Sequence, residues 1–159
     1  MNIIFLDVDG VLNNIKDAEE LYEKTRKPIV GFEWPFSKIS LNVLKRIVDD
    51  TDAQIVVTSS WRLRKQGREI LLSELEKYNL KEKVIGWTPS LKAFDREKEI
   101  IAYLKSIEYE NLNFIILDDE VSWYKDLENN VIKTNAYLGL NEEHLEKSIN
   151  LLKSKSKEK

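Results

Sequence analysis

Three short runs dominated by apolar residues each stop on a polar side chain: Ile3 to Leu6 on Asp7, Gln54 to Val57 on Thr58, and Phe114 to Leu117 on Asp118. Runs this short, without polar alternation, read as strands covered on both faces, as in a parallel sheet. Between them the apolar spacing changes to that of a helix. Leu41, Leu44 and Val48 follow a Ser40 cap, Ile70, Leu71, Leu75 and Tyr78 form a second face, and Ile100, Ile101, Leu104 and Ile107 a third. Two weaker strand candidates, 83–85 and 131–133, complete a set of five, and after Asn141 a last helix puts Leu145, Ile149 and Leu152 on one side. This alternation predicts an α/β chain with a doubly wound, mainly parallel five-stranded sheet.

Ligands of such sheets bind beyond the carboxyl ends of the strands, where Asp7, Thr58 and Asp118 would gather. Composition limits what chemistry can happen there. No cysteine and a single histidine, His144, exclude thiol nucleophiles, Cys-ligated metals, multi-His sites and a Ser-His-Asp triad. Catalysis must rest on carboxylates, hydroxyls and cations. With 159 residues and a formal charge of −3, one domain over 1–153 is expected, without a global charge that attracts nucleic acid or membrane. The first residues carry neither a basic leader nor a long apolar span, so a cytoplasmic protein with no membrane association is expected, and 154–159 reads as a basic, flexible tail. The stretch 13–38 fits the alternation poorly. Its charged helical piece, 16–27, and aromatic loop, Gly31 to Phe36, read as an insertion over the first strand's tip, either a partial lid or a plain surface connection.

Asp7 and Asp9 flank one residue and precede Gly10, which permits a tight turn and close backbone approach to an ion or phosphate. An EF-hand loop is excluded, because Leu12 and Ala18 occupy the positions that require Gly and Glu. Asp118 and Asp119 end another strand. Four carboxylates at adjacent tips would repel one another unless a divalent cation neutralised them, and all-oxygen ligation favours Mg²⁺. The plainer alternative is that Asp118 and Asp119 only cap the next turn. Thr58, Ser59 and Ser60 offer hydroxyls and backbone N–H groups suited to phosphate oxygens or, equally, to a helix cap. Arg62 is a candidate bidentate phosphate donor or an ordinary surface arginine. Trp34, Trp61, Trp87 and Trp123 lie near strand tips, where core packing is the default and base stacking the alternative. His144, in the first turn of the last helix, is expected to be exposed and inert.

These residues resemble the haloacid dehalogenase (HAD) superfamily of aspartate-nucleophile phosphohydrolases. The first motif matches Phe5-Leu-Asp-Val-Asp-Gly-Val-Leu12, the second Ile55-Val-Val-Thr58 and the fourth Ile115-Ile-Leu-Asp-Asp119. DVDGVLN, VVTSSWR, GWTPS, REKEI and GLNEE are similar to the phosphatase-type domain of "Swiss Army Knife" RNA-repair proteins. The resemblance implies a Rossmann-like HAD core with a minimal cap and a two-step reaction through an aspartyl-phosphate. It implies Asp7 as nucleophile, Asp9 as general acid and base, and Thr58 as a phosphoryl ligand, with Ser59, Gly10 and Arg62 nearby. It also implies Mg²⁺ held by Asp7, the Asp9 carbonyl, Asp118 and Asp119. The third-motif cation has three candidates, Lys92, Arg96 and Lys98, of which Arg96 at the helix start, oriented by Glu99, is preferred and Lys98 stands second.

The function expected is therefore Mg²⁺-dependent phosphomonoester hydrolysis on a nucleic-acid terminal phosphate or a nucleotide, with a repair enzyme acting alongside. A small phosphometabolite is the alternative substrate. A catalytically silent binding domain is the alternative of another class, opposed by the presence of all four acids.

Overall fold

The computed structural model describes residues 1–154, so the tail expected at 154–159 lies outside the described residues apart from Ser154. Five strands form one wholly parallel sheet: β1 (Asn2–Leu6), β2 (Gln54–Val57), β3 (Val84–Trp87), β4 (Asn113–Asp118) and β5 (Val131–Lys133), in the order β3-β2-β1-β4-β5. Among the described residues five α-helices accompany them: α1 (Ile15–Thr25), α2 (Lys38–Thr51), α3 (Lys65–Glu76), α4 (Arg96–Ser106) and α5 (Leu145–Lys153). Strand alternation sorts the core. Ile4 and Leu6 of β1 pack with Leu41 and Leu44 of α2, Leu71 of α3 and Leu152 of α5, while Ile3 and Phe5 face Ile100 and Tyr103 of α4. The sheet is thus covered on both faces, which is why its strands read as apolar runs and not as alternating ones.

The chain winds outward through β2 and β3, then returns beneath the sheet as α4 to place β4 on the other side of β1. That reversal between β1 and β4 is the topological switch point, and it opens a crevice beyond Leu6 and Leu117, which are paired in register.

Two boundaries differ from the sequence reading. α2 begins before Ser40 because Ser37 is the cap, its hydroxyl accepting the Ser40 N–H at 3.2 Å, while Ser40 is buried and its own hydroxyl donates to the Leu140 carbonyl at 2.7 Å. β3 starts at Val84, since Lys81–Lys83 form a 3-10 turn. His144 is likewise buried, not exposed: its Nδ1 accepts the Asn141 N–H at 3.1 Å in a capping box, and burial holds its pKa below the ordinary value. No helix among the described residues is long and apolar enough to cross a membrane.

The 13–38 stretch leaves the sheet and returns to it at one place. Asn13 bridges Phe36 in antiparallel fashion, and the Ser37 N–H donates to the Leu12 carbonyl at 2.7 Å. Between those closing contacts lie α1 and a 3-10 turn at Gly31–Glu33, so the charged helical piece is real and the aromatic loop folds back towards the strand tips.

Candidate active site

The backbone itself brings the acids together. The Asp7 N–H donates to the Leu117 carbonyl at 3.1 Å and the Thr58 N–H to the Leu6 carbonyl at 2.9 Å, so all three strand tips end side by side. Asp7, Asp118 and Asp119 then offer carboxylate oxygens that all lie within 4.8 Å of one another. An all-oxygen group of this span suits a small hard dication such as Mg²⁺. The Asp9 carboxylate, expected at the same strand tips, lies outside that side-chain group.

Electrostatics record the crowding. Burial, reinforced by Asp118 and opposed by Arg96, pushes the Asp7 carboxyl up to about 7. Burial, with Asp118 beside it, pushes Asp119 up to about 6. Asp118 is fully enclosed and accepts three donors, Glu120 N–H at 3.0 Å on Oδ1, and Tyr124 O–H at 2.7 Å and Arg96 Nη1 at 3.0 Å on Oδ2, which leaves one lone pair of Oδ1 for a further partner. The Arg96 group also stands 3.2 Å from Asp7 Oδ1. Although burial works against it, Arg96 is held above its ordinary pKa by Asp7 and Asp118, so it is a permanent cation here.

Of the three candidate cations, Arg96 alone reaches the acids, because Asp95 caps α4 and aims the first residue of the helix at the strand tips. Lys98 points away, 70% exposed and 3.9 Å from Asp95, and Lys92 is exposed. Glu99 does not orient Arg96 as expected; it faces Arg62.

Arg62 is correspondingly not placed to meet a phosphate. Its guanidinium is buried and donates to the carbonyls of Thr58, Ser59, Thr88 and Pro89 and, at 3.1 Å, to Glu99 Oε2. Glu99 in turn accepts the Leu91 N–H. The pair clamps the loops after β2 and β3 to α4, and with five acceptors around it Arg62 has no donor left over for a ligand.

The hydroxyl cluster divides in the same way. Ser59 Oγ accepts the Trp61 N–H at 3.2 Å and caps the 3-10 turn Ser60–Leu63, whereas Thr58 Oγ1 is wholly buried and has no hydrogen-bond partner among the described residues. A buried orphan hydroxyl is costly, and an oxygen of a bound phosphoryl group would satisfy it. Gly10 spends its N–H on Asn13 Oδ1 at 3.0 Å and its carbonyl on Thr134 Oγ1 at 2.7 Å. Its necessity is steric: φ is +79°, and a Cβ there would lie 2.5 Å from Asp119 Oδ2.

A cleft of about 420 Å³ opens beside these groups, lined by Asp9, Gly10 and Asp119 and, from the 13–38 stretch, by Asn13, Ile15, Gly31 and Trp34. Trp34 is half-buried and borders the cleft, Trp61 is buried, Trp87 packs partly against the core and Trp123 is exposed, so core packing as a common default fails for Trp34 and Trp123. Several contacts had no sequence signal. Tyr124 holds Asp118, and Glu97 Oε2 accepts the N–H groups of Lys125, Asp126 and Leu127, pinning the loop that carries Tyr124.

A family model described as the HAD domain in Swiss Army Knife RNA repair proteins matches residues 3–145. No curated protein and no solved structure matches the chain.

Proposed function

Because the chain belongs to that family of HAD domains, we propose that it is a Mg²⁺-dependent phosphomonoester hydrolase with Asp7 as nucleophile and Asp9 as general acid and base. The observation that carries this reading is the convergence of Asp7, Asp118 and Asp119 at the β1/β4 switch, with their ligand oxygens within 4.8 Å of one another. Bound by those three and the Asp9 carbonyl, Mg²⁺ would neutralise the charge that builds up when an anionic nucleophile meets an anionic ester.

The chain's own groups do the rest. The Thr58 hydroxyl donates to a phosphoryl oxygen, and Arg96 favours the ionised form of the Asp7 carboxyl against the burial that raises its pKa. Asp7 attacks phosphorus, the bond from phosphorus to the leaving oxygen breaks, and that oxygen takes a proton from Asp9. Asp9, now ionised, takes a proton from water, whose oxygen attacks the same phosphorus and frees Asp7 and inorganic phosphate. Splitting the displacement in this way replaces one hard step by two easier ones.

The substrate favoured is a nucleic-acid terminal phosphate or a nucleotide. The family description supports it, and so does Trp34 in the cleft wall, an aromatic face on which a base can stack. Phosphate removal leaves a hydroxyl end, so the partner implied is a repair enzyme that joins or modifies such ends. A small phosphometabolite is the second reading, favoured by Gly31 and Trp34 of the insertion, which border the cleft. The test is a panel of 3′- and 5′-phosphorylated RNA, mononucleotides and sugar phosphates, assayed with Mg²⁺ and with EDTA. Preference for phosphorylated RNA ends or nucleotides, lost in EDTA, supports the first reading; preference for sugar phosphates supports the second. No turnover on any member would replace both by a silent phosphate-binding domain.

A further inference from the structure

Asp9 is exposed at the cleft, yet one of its two oxygens is already fixed. The Trp61 indole N–H donates to Asp9 Oδ1 at 3.1 Å, and Asn13 Nδ2 donates to the same oxygen at 2.8 Å. The Asn13 amide cannot be turned around, because its own oxygen accepts the Gly10 N–H at 3.0 Å. Trp61 is equally constrained: it is 3% exposed and meets Phe32 and Phe36 edge-on, with ring centroids 4.8 Å and 5.4 Å away. Both of those rings come from the insertion. A continuous line of contact therefore runs from the insertion through the indole to the carboxylate at the cleft.

We propose that Trp61 and Asn13 are positioning residues which hold Asp9 by Oδ1 so that Oδ2 serves the leaving group, and that the insertion holds the indole in place through Phe32 and Phe36. This rests on the reaction proposed above. An oxygen that accepts two N–H bonds has no room for a proton facing those donors, so the proton of the neutral acid resides on Oδ2, which has no partner among the described residues. When the ester bond breaks, the Oδ2 proton passes to the leaving oxygen, and the two N–H groups on Oδ1 stabilise the carboxylate left behind. The insertion then acts on the chemistry as a brace behind the acid, whether or not it also covers the cleft.

Trp61→Phe removes the N–H and keeps an aromatic ring between Phe32 and Phe36. Its turnover is compared with the parent's on 4-nitrophenyl phosphate, phenyl phosphate and an alkyl phosphate with Mg²⁺, since nitrophenolate departs without a proton and an alkoxide does not. The expected result is a loss at least about tenfold greater on the alkyl ester than on the nitrophenyl ester, a fraction of the 10²–10⁴ that general acid catalysis supplies. Equal loss on every ester, or none, overturns the inference while leaving the proposed function standing; a parent inactive on all three and on the phosphorylated RNA, nucleotide and sugar phosphate panel overturns both. Should Trp61→Phe fail to fold, benzothienylalanine at the same position keeps the indole shape without its N–H and meets the same criterion. Independently of turnover, Asp9→Asn should shift the indole ¹H–¹⁵N signal that Trp61→Phe removes, and an unmoved signal overturns the proposal.

Discussion

Asp7 and Asp118 end neighbouring parallel strands in matching register: Leu6 pairs with Leu117, and the Asp7 N–H donates to the Leu117 carbonyl at 3.1 Å. The central pair of the sheet thus fixes the two backbones from which these carboxylates project. Two unit charges 4 Å apart interact with about 4 kcal/mol at an effective dielectric of 20, so the fold carries a repulsion that a counter-cation or a bound proton relieves. Arg96, 3.2 Å from Asp7 and 3.0 Å from Asp118, offsets part of it.

Stability without metal should fall as pH rises. Burial pushes Asp7 up to about 7 and Asp119 up to about 6 from an ordinary value of 3.8, so over that window the folded chain binds more protons than the unfolded one. The slope of unfolding free energy against pH is then negative, and the contribution present at the acid end is lost as pH passes through the folded values. Melting temperature in EDTA should decline across this window, Mg²⁺ should restore it, and Asp7→Asn should flatten the dependence. A melting temperature that rises with pH in EDTA would contradict the electrostatic reading.

Arg96 and Lys98 should separate cleanly. Arg96→Ala removes the one cation among the described residues in contact with both Asp7 and Asp118, and kcat should drop by about 10²–10³, the scale of losing one preorganised electrostatic group. Lys98→Ala, on a side chain 70% exposed, should stay within about twofold of the parent. Comparable losses in steady-state assays of the two variants would refute the assignment of the third-motif cation.

Arg62 should prove a stability residue. Truncating one partner of a buried ion pair costs about 3–5 kcal/mol because the other charge is left uncompensated. In a domain of this size that is a fall in melting temperature of about 6–20 °C. Arg62→Ala should therefore melt early by differential scanning calorimetry, and removal of Glu99 as well should recover part of the loss. A stable Arg62→Ala protein with a raised KM would return Arg62 to the phosphate.

The sheet was legible because β1, β2 and β4 are buried on both faces and so leave uninterrupted apolar runs that need no knowledge of partners. Asp7 and Asp118 were legible for the same reason, since each ends such a run. What sequence could not convey is which donor meets which acceptor. Arg62 and Arg96 have the same side chain near neighbouring elements, yet Arg62 turns into the loops after β2 and β3 while Arg96 is aimed by the Asp95 cap. Tyr124 and Trp61 gain their roles from loops whose paths are set by Glu97 and by Phe32 and Phe36, contacts without periodicity. His144 and Ser40 were misjudged through local helix signals, because a capping box and a contact with the Leu140 carbonyl bury them.

The central claim is that phosphate passes through Asp7. The most direct measurement is a rapid acid quench of the Mg²⁺-loaded protein with a radiolabelled phosphate ester, followed by peptide mapping. The account predicts a hydroxylamine-labile phosphate on the peptide containing residue 7, enriched in Asp9→Asn, where hydrolysis of the intermediate is slowed, and absent from Asp7→Asn and from EDTA-treated protein. Ester turnover that persists in Asp7→Asn, or label trapped on any other residue, would contradict it.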